Sequence, residues 1–291
     1  MIDVLLPFYG DPGLLRRAVE SVQAQTSADW RLLVVDDCYP GESVEPWLSS
    51  LGESRIVYSR NPENLGVNRN FQHCLELAEA DHVTFLGCDD LMLPRYVEVV
   101  GAAARRSSAA MVQCDVQVID ADGQPVRTLT DAVKRRLMPD VQGSLTLSGE
   151  DFARRLLTGN WAYFPAICWD RRQALHHGFR PGLDLALDLA LILDLVSAGA
   201  DFVLLEEVCF AYRRHGDSAS SVAAVDTRRF TEERAFFVEV AKRLDERGWP
   251  RAARAARMHL TSRLHAAALL PAAVRTRDRV AVRSLFRHLA R

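Results

Sequence analysis

Residues 85 to 94 read FLGCDDLMLP, and two adjacent carboxylates, Asp89 and Asp90, fall where an apolar run ends. Neighbouring anions at the end of a buried strand repel each other and lose hydration, so solvent, a basic side chain or a metal ion has to compensate them. A hard divalent cation such as Mg2+ or Mn2+ takes oxygen ligands and commonly sits between one or two carboxylates and the phosphates of a substrate. That chemistry would have Asp89 and Asp90 hold a diphosphate through a metal; the alternative is a helix N-cap, with the acids facing first-turn amides. A second pair, Asp36 and Asp37, ends the run RLLVVDD and poses the same choice between cap and ligand. A carboxylate there can accept the imide N–H of uracil or thymine, or the N1 and N2 donors of guanine, whereas adenine offers no such imide. Tyr9, two residues past Pro7, can lend a flat face to a base.

The elements that must position these residues alternate over the first 90 positions. IDVLLP precedes PGLLRRAVESVQAQ, RLLVVDD precedes ESVEPWLSSL, RIVYS precedes VNRNFQHCLELAEA, and HVTFLGCDD follows. Short Val/Leu-rich runs separated by helix-period segments predict parallel strands covered on both faces and joined by right-handed crossovers. Ligands of such α/β sheets bind outside the carboxyl ends of the strands, so PFYG, DDCYPG and GCDD should converge on one edge. After residue 108, AAMVQCDVQVIDADGQPV reads as a strand turning through Asp-Gly and RTLTDAVKRRLMPDVQGS as a mobile polar loop. GNWAYFPAICWDRR then reads as a strand and LDLALDLALILDLVSAG as a helix. From about Val225 the chain is helical and rich in Ala and Arg, with Pro250 and Pro271 as breaks. The expected partition is 1–107 and 108–224 as two halves of one domain, and 225–291 as a helical extension.

With 48% apolar and 25% charged residues the chain has the composition of an ordinary globular protein, and its net charge of -2 gives no reason to expect nucleic acid as a partner. The charge is uneven: from Arg251 to the end there are ten arginines against one acid, Asp278. Those basic helices are candidates for peripheral membrane contact, and homodimerisation or packing on the rest of the chain is the plainer expectation. No stretch approaches the roughly 20 apolar residues that span a bilayer, and MIDVLLP has no basic n-region or cleavage site, so the expected place is the cytoplasm, with the inner membrane face as a variant. The six cysteines have no metal-ligand or C-x-x-C spacing and read as reduced thiols, Cys88 being the one next to the acidic pair.

Taken together, VLLPFYGDPGLLRRAVESVQAQTSADWRLLVVDD, NPENLGVNRNFQHCLELAEADHVTFLGCDDLMLP and AYRRHGDSAS resemble a family 2 glycosyltransferase of the GT-A fold, over roughly residues 2–221. The resemblance implies a Rossmann-like, mostly parallel sheet flanked by helices, with residues 1–107 as the nucleotide-sugar-binding half and 108–224 as the acceptor and catalytic half. It implies a nucleotide pocket at Pro7, Phe8 and Tyr9, with Gly10 where Asn is usual, and base contact through Asp36 and Asp37, with Cys38 where Gly is usual. Asn64 and Asp89 join the nucleotide set, and Asp89 with Asp90 supports Mg2+ or Mn2+ and the diphosphate. Many relatives carry a further acid where Gly87 stands. NLGVNRNF is similar to rhamnosyl- and related deoxysugar transferases, which points towards UDP- or dTDP-linked donors, with GDP as a further option.

The catalytic base implied by the resemblance is Asp188, preceded by Leu187 where Glu is common. Asp184 is the runner-up, four residues earlier and on the same face if both are helical. Surrounding Leu and Ala should limit hydration of Asp188 and favour a raised pKa. His215 matches a histidine that reaches the metal or diphosphate, and Asn160, Trp161, Tyr163, Asp184 and Arg213 are candidates for the sugar and acceptor pocket. The implied activity is inverting transfer of a hexosyl or deoxyhexosyl group to a hydroxyl of a glycan, glycolipid or small-molecule acceptor, in polysaccharide or cell-envelope biosynthesis. A sugar-nucleotide pyrophosphorylase would want a Gly-rich basic loop that LLPFYGDPGLL lacks. Gly87 and Leu187 keep a rival in play, a non-catalytic nucleotide-sugar-binding or membrane-associated assembly protein of the same fold.

Overall fold

The computed structural model describes residues 1–214, 227–275, 282–283 and 285–286. The chain divides into two compact units, which are described separately: residues 1–128, 139–147 and 163–214, and residues 129–138, 148–162 and 215–291.

In the first unit the alternation predicted from sequence is present. The order is β1 (Ile2–Phe8), α1 (Pro12–Gln23), β2 (Trp30–Asp36), α2 (Glu45–Ser50), β3 (Ile56–Arg60), α3 (Val67–Leu77), β4 (His82–Phe85), β5 (Leu91–Met92), α4 (Tyr96–Arg106) and β6 (Met111–Ile119). After α5 (Leu129–Leu137) come β7 (Ser144–Leu147), α6 (Gly149–Thr158), β8 (Ile167–Asp170), α7 (Arg171–His177), α8 (Leu187–Ser197) and β9 (Phe202–Arg213); α5 and α6 belong to the second unit. The sheet order is β3-β2-β1-β4-β8-β6-β9-β5, with β7 on β9. Strands β1 to β4 are mutually parallel and β6 is parallel to β9, while β5, β7 and β8 pair antiparallel. The register sets Phe8 beside Asp36 and Asp36 beside Arg60, so three strands end at one level.

Burial on both faces explains the unbroken apolar runs. Val4, Leu6 and Phe8 pack with Leu15 and Val19 of α1 and with Val97 and Val100 of α4. Leu5 alternates to the opposite face and pairs with Phe85, which stacks on Phe71 of α3 at 5.3 Å and on Phe164 at 5.2 Å. The segment after residue 126 departs from expectation: Leu129–Leu137 is helical, with Asp131 in its first turn and Lys134, Arg135 and Arg136 in its last, each favourable to the helix dipole. The strand predicted in GNWAYFPAICWDRR is confined to Ile167–Asp170, preceded by a 3-10 turn at Phe164–Ala166.

The second unit continues with α9 (Thr227–Glu246), α10 (Pro250–Met258) and α11 (Leu260–Arg275). Ala252, Ala253 and Ala256 are buried, and small side chains let α10 lie close against α6. Glu150 of α6 accepts from the backbone N–H of Arg251 at 2.6 Å and from its Nε at 3.0 Å, capping α10. No described helix is long and apolar enough to cross a membrane.

One buried charge fastens the start of the sheet. Asp3, fully buried, accepts from Arg31 Nε and Nη2 at 2.9 and 2.7 Å and from the backbone N–H groups of Glu79 and Ala80 at 2.6 and 2.9 Å. Burial alone would raise its pKa, but the Arg31 hydrogen bond and the two amides together hold it below the usual value. The Asp3 contribution is therefore complete above the ordinary carboxylate range and lost as pH falls through the depressed folded-state value. Asp3→Ala is expected to cost about 3–5 kcal/mol in urea denaturation at neutral pH, a difference that narrows under acid conditions.

Candidate active site

The carboxyl edge of β1 to β4 carries the acids singled out from sequence, and two of them are fully engaged inside the chain. Asp36 is 1% exposed; its Oδ1 accepts from the Tyr39 N–H at 2.7 Å, and its Oδ2 from Tyr58 Oη and Arg60 Nη1, both at 2.8 Å. Asp37 is 3% exposed; its Oδ1 accepts from Asn61 Nδ2 and the Leu65 N–H, both at 2.8 Å, and its Oδ2 from the Gly66 N–H at 3.0 Å. Of the two roles open to them, the structure displays the internal one: both acids hold the edge in shape. Phe8 is likewise turned into the core, whereas Tyr9 is 54% exposed and meets Tyr39 edge to face at 6.0 Å. Pro7 is half-buried, and Asn64 is exposed, its side chain accepting from the Gly66 N–H at 2.9 Å.

Asp89 and Asp90 occupy the turn between β4 and β5, and they differ. Asp89 is partly exposed, while Asp90 is 2% exposed and accepts from the Arg213 N–H at 2.8 Å through Oδ1. A Cβ at position 87 would lie 2.8 Å from Asp90 Oδ2 and 2.9 Å from Asp89 Oδ1, so one oxygen of each acid converges over Gly87. Burial, then the Asp89 charge, pushes the Asp90 carboxyl well above its usual range, against the opposing pull of the Arg213 amide and the charges of Arg213 and Arg214. Two converging carboxylate oxygens are a hard donor set of the kind that holds Mg2+ or Mn2+ together with phosphate and water. Among the described residues no group of three or more His, Cys, Asp or Glu side chains is arranged around a metal position, and His215 lies outside the described residues. Cys88 abuts Gly10, and burial, then Asp89 and Asp90, pushes its thiol up to about 12, which leaves it protonated and unreactive near neutral pH.

Arg213 does not face a pocket. It is 2% exposed, and its Nε donates to the Asp89 carbonyl at 2.7 Å while Nη1 donates to the carbonyls of Asp120 and Ala121 at 2.8 and 2.9 Å. The placement in a sugar pocket is therefore corrected: Arg213 clamps the acidic turn to the turn after β6. Trp161 is fully buried in the second unit, its ring 6.0 Å from Phe152, and Asn160 is half-buried in that same unit. Tyr163, in the first unit, is buried 5.3 Å from the Tyr212 ring, so neither aromatic presents an open stacking face.

The helix expected to carry the base begins at Leu187, later than the pattern predicts. Gly182 at φ +79° turns the chain, Asp184 is exposed before the helix, and Asp188 is half-buried in its first turn. The same-face argument relating Asp184 to Asp188 therefore falls, since only Asp188 is helical. Because α8 leads back into β9, a strand parallel to β6, its first turn points to the edge where Asp89 and Asp90 lie. Asn68, in the first turn of α3, reinforces that placement: its Nδ2 donates to the carbonyls of Arg180 and Leu183 at 2.9 and 2.5 Å. Arg180 in turn pairs with Asp194 through Nε at 2.8 Å and Nη2 at 2.5 Å. Asn61, Asn68 and Asn70 are thus site-building residues that motif reading missed, although four asparagines within residues 61–70 were a visible signal. A hollow of about 560 Å³ lined by Asp81, Asp170, Arg171 and His176 opens at the opposite end of β4 and has none of these acids.

Comparison with known proteins agrees with the fold. Residues 3–176 match the family described as Glycosyl transferase family 2. The succinoglycan biosynthesis protein ExoW of Rhizobium meliloti is 37% identical over 100 residues, 33% of this chain and 31% of that protein. The O-antigen biosynthesis protein RfbC of Myxococcus xanthus is 27% identical over 258 residues, 83% of this chain but 18% of that protein. The matched stretches are thus a minor part of both relatives. The structure of S. aureus TarS residues 1–349 in complex with UDP-GlcNAc superposes with a TM-score of 0.64 at 14% identity, over 82% of this chain and 66% of that one, a GT-A likeness in fold.

The raised folded-state pKa of Asp90 costs stability: the penalty is absent below the ordinary carboxylate range and grows as pH rises towards the folded value. Asp90→Asn, which keeps an oxygen for the Arg213 N–H, is expected to raise Tm at neutral pH by about 2–4 °C per kcal/mol relieved. In calorimetric scans the gain should shrink as pH falls towards about 4.

Proposed function

The chain belongs to glycosyl transferase family 2, and from that premise we propose that it moves a sugar from a nucleoside-diphosphate sugar to a hydroxyl of a glycan, glycolipid or small-molecule acceptor, with inversion at the anomeric carbon. The observation that carries the reading is the shared edge: Asp89 and Asp90 converge over Gly87, and the helix bearing Asp188 starts at the same side of the sheet. In the proposed step the Asp188 carboxylate takes the acceptor hydroxyl proton while that oxygen bonds to the anomeric carbon. The bond from that carbon to the diphosphate oxygen breaks and the nucleoside diphosphate leaves with the electron pair. Attack opposite the leaving group inverts the centre.

Asp89 and Asp90 would hold Mg2+ or Mn2+, which supplies positive charge against the departing diphosphate. Asp90 must ionise to contribute, so its raised pKa makes cation binding tighten as pH rises. Tyr9 is exposed after β1 and available to a base, and Asn64 lies in the turn between β3 and α3. UDP- and dTDP-linked donors come first in this reading, GDP-linked donors next; the UDP-GlcNAc held by TarS supports a UDP donor. The biosynthetic names of ExoW and RfbC support a polysaccharide setting, and the reading keeps the reaction in the cytoplasm.

Calorimetric titration of UDP, dTDP, GDP and ADP, each with and without Mn2+, is expected to select one pyrimidine or guanine diphosphate, with binding that weakens sharply without metal. Failure of all four to bind would remove the donor site. Asp188→Asn is expected to lower transfer by about 10²–10⁴-fold while nucleoside-diphosphate affinity stays unchanged; turnover at the wild-type rate would remove Asp188 as the base.

A further inference from the structure

The outward face of α11 is built the wrong way round for a helix that only packs inward. Its small residue Ala266 is fully buried and Ser262 Oγ donates inward to Glu233 Oε2 at 2.8 Å, whereas the larger Leu260 and Leu264 are 44% and 61% exposed. At 100° per residue, Leu260, Arg263, Leu264, Ala267, Pro271 and Arg275 fall within about 120° of arc. All six are exposed except Arg263, which is half-buried. The apolar residues form the centre of this stripe, and Arg263 and Arg275 border it on opposite sides. Met258, at the end of α10, is 47% exposed as well. From Arg251 onward the sequence has ten arginines and one acid.

We propose that this face of α11 docks on the surface of a bilayer containing anionic lipid. In that pose the leucines would reach the acyl boundary while the flanking arginines meet headgroup phosphates. Charge decides against a second copy of the chain as the occupant. A two-fold contact applies the same patch to itself, so Arg263 and Arg275 would face one another or their own copies with no acid in the patch to offset them. An anionic surface takes the leucines and the arginines together.

The test is co-sedimentation of the full chain with vesicles of phosphatidylcholine alone or with about a third phosphatidylglycerol. Binding is expected only to the anionic vesicles and should weaken with added salt. Arg263→Gln with Arg275→Gln should reduce partitioning about 30-fold, from about fivefold per basic residue. Leu260→Ser with Leu264→Ser should also abolish sedimentation; both pairs are surface changes, and unchanged melting curves verify the fold. Equal sedimentation with both vesicle types, none with either, or wild-type binding by both variants overturns the proposal. So does a dimer in analytical ultracentrifugation that the leucine variant dissociates, because the face would then be a contact between copies.

Discussion

Asp37 accepts three hydrogen bonds at the end of β2, and its donors come from two other parts of the edge. Asn61 stands just past β3, and Leu65 and Gly66 form the turn into α3. By meeting those two amides the carboxylate fixes where α3 begins, and therefore where Asn68 lies. Asn68 in turn fixes the carbonyls of Arg180 and Leu183, which lead into α8. A side chain that motif reading assigns to a ligand thus transmits the position of β2 across the face of the sheet to Asp188. Loss of a single donor set here would shift the edge as a whole, since a buried carboxylate without its partners is far costlier than one that has them.

Four acids of the first unit are almost completely buried, and they are not equivalent. Asp3, Asp36 and Asp37 each take at least three donors. Asp90 takes the Arg213 amide and lies beside the like charge of Asp89. Folding alone would favour more donors or a neutral side chain at position 90. The buried guanidinium of Arg213 completes the contrast: it grips the carbonyl of Asp89, fixing the backbone of the pair.

Much of the fold was legible because burial on both faces leaves an unmistakable record, Val and Leu in continuous short runs. The strand ends followed, and with them the edge that carries the acids. Direction was not legible: nothing local in ICWD says that β8 runs antiparallel to β4, which depends on where the chain returns to the sheet. The start of α8 was misplaced because LDLALDLAL continues the helical pattern, while the Leu183 carbonyl is taken by Asn68 Nδ2 and the chain turns helical only at Leu187. The Leu129–Leu137 helix was hidden by its polarity, since only Asp131 in it is buried and its charges follow the dipole instead of an apolar stripe. Trp161 and Arg213 illustrate a general limit. Side-chain type announces what a residue can bind, but burial decides whether anything outside the chain can reach it.

Gly87 shows how a departure from a family pattern can be read physically. Its φ is not in the left-handed region, so backbone freedom does not explain the glycine. Space does. The oxygens of Asp89 and Asp90 occupy the volume that a Cβ would need, closer than such atoms approach in ordinary packing. A side chain at this position would force both carboxylates to turn away, and an acidic one would add a third negative charge beside the buried Asp90. The glycine and the inward carboxylates are therefore one arrangement: the absence of a side chain at position 87 leaves the room in which an oxygen of each acid sits.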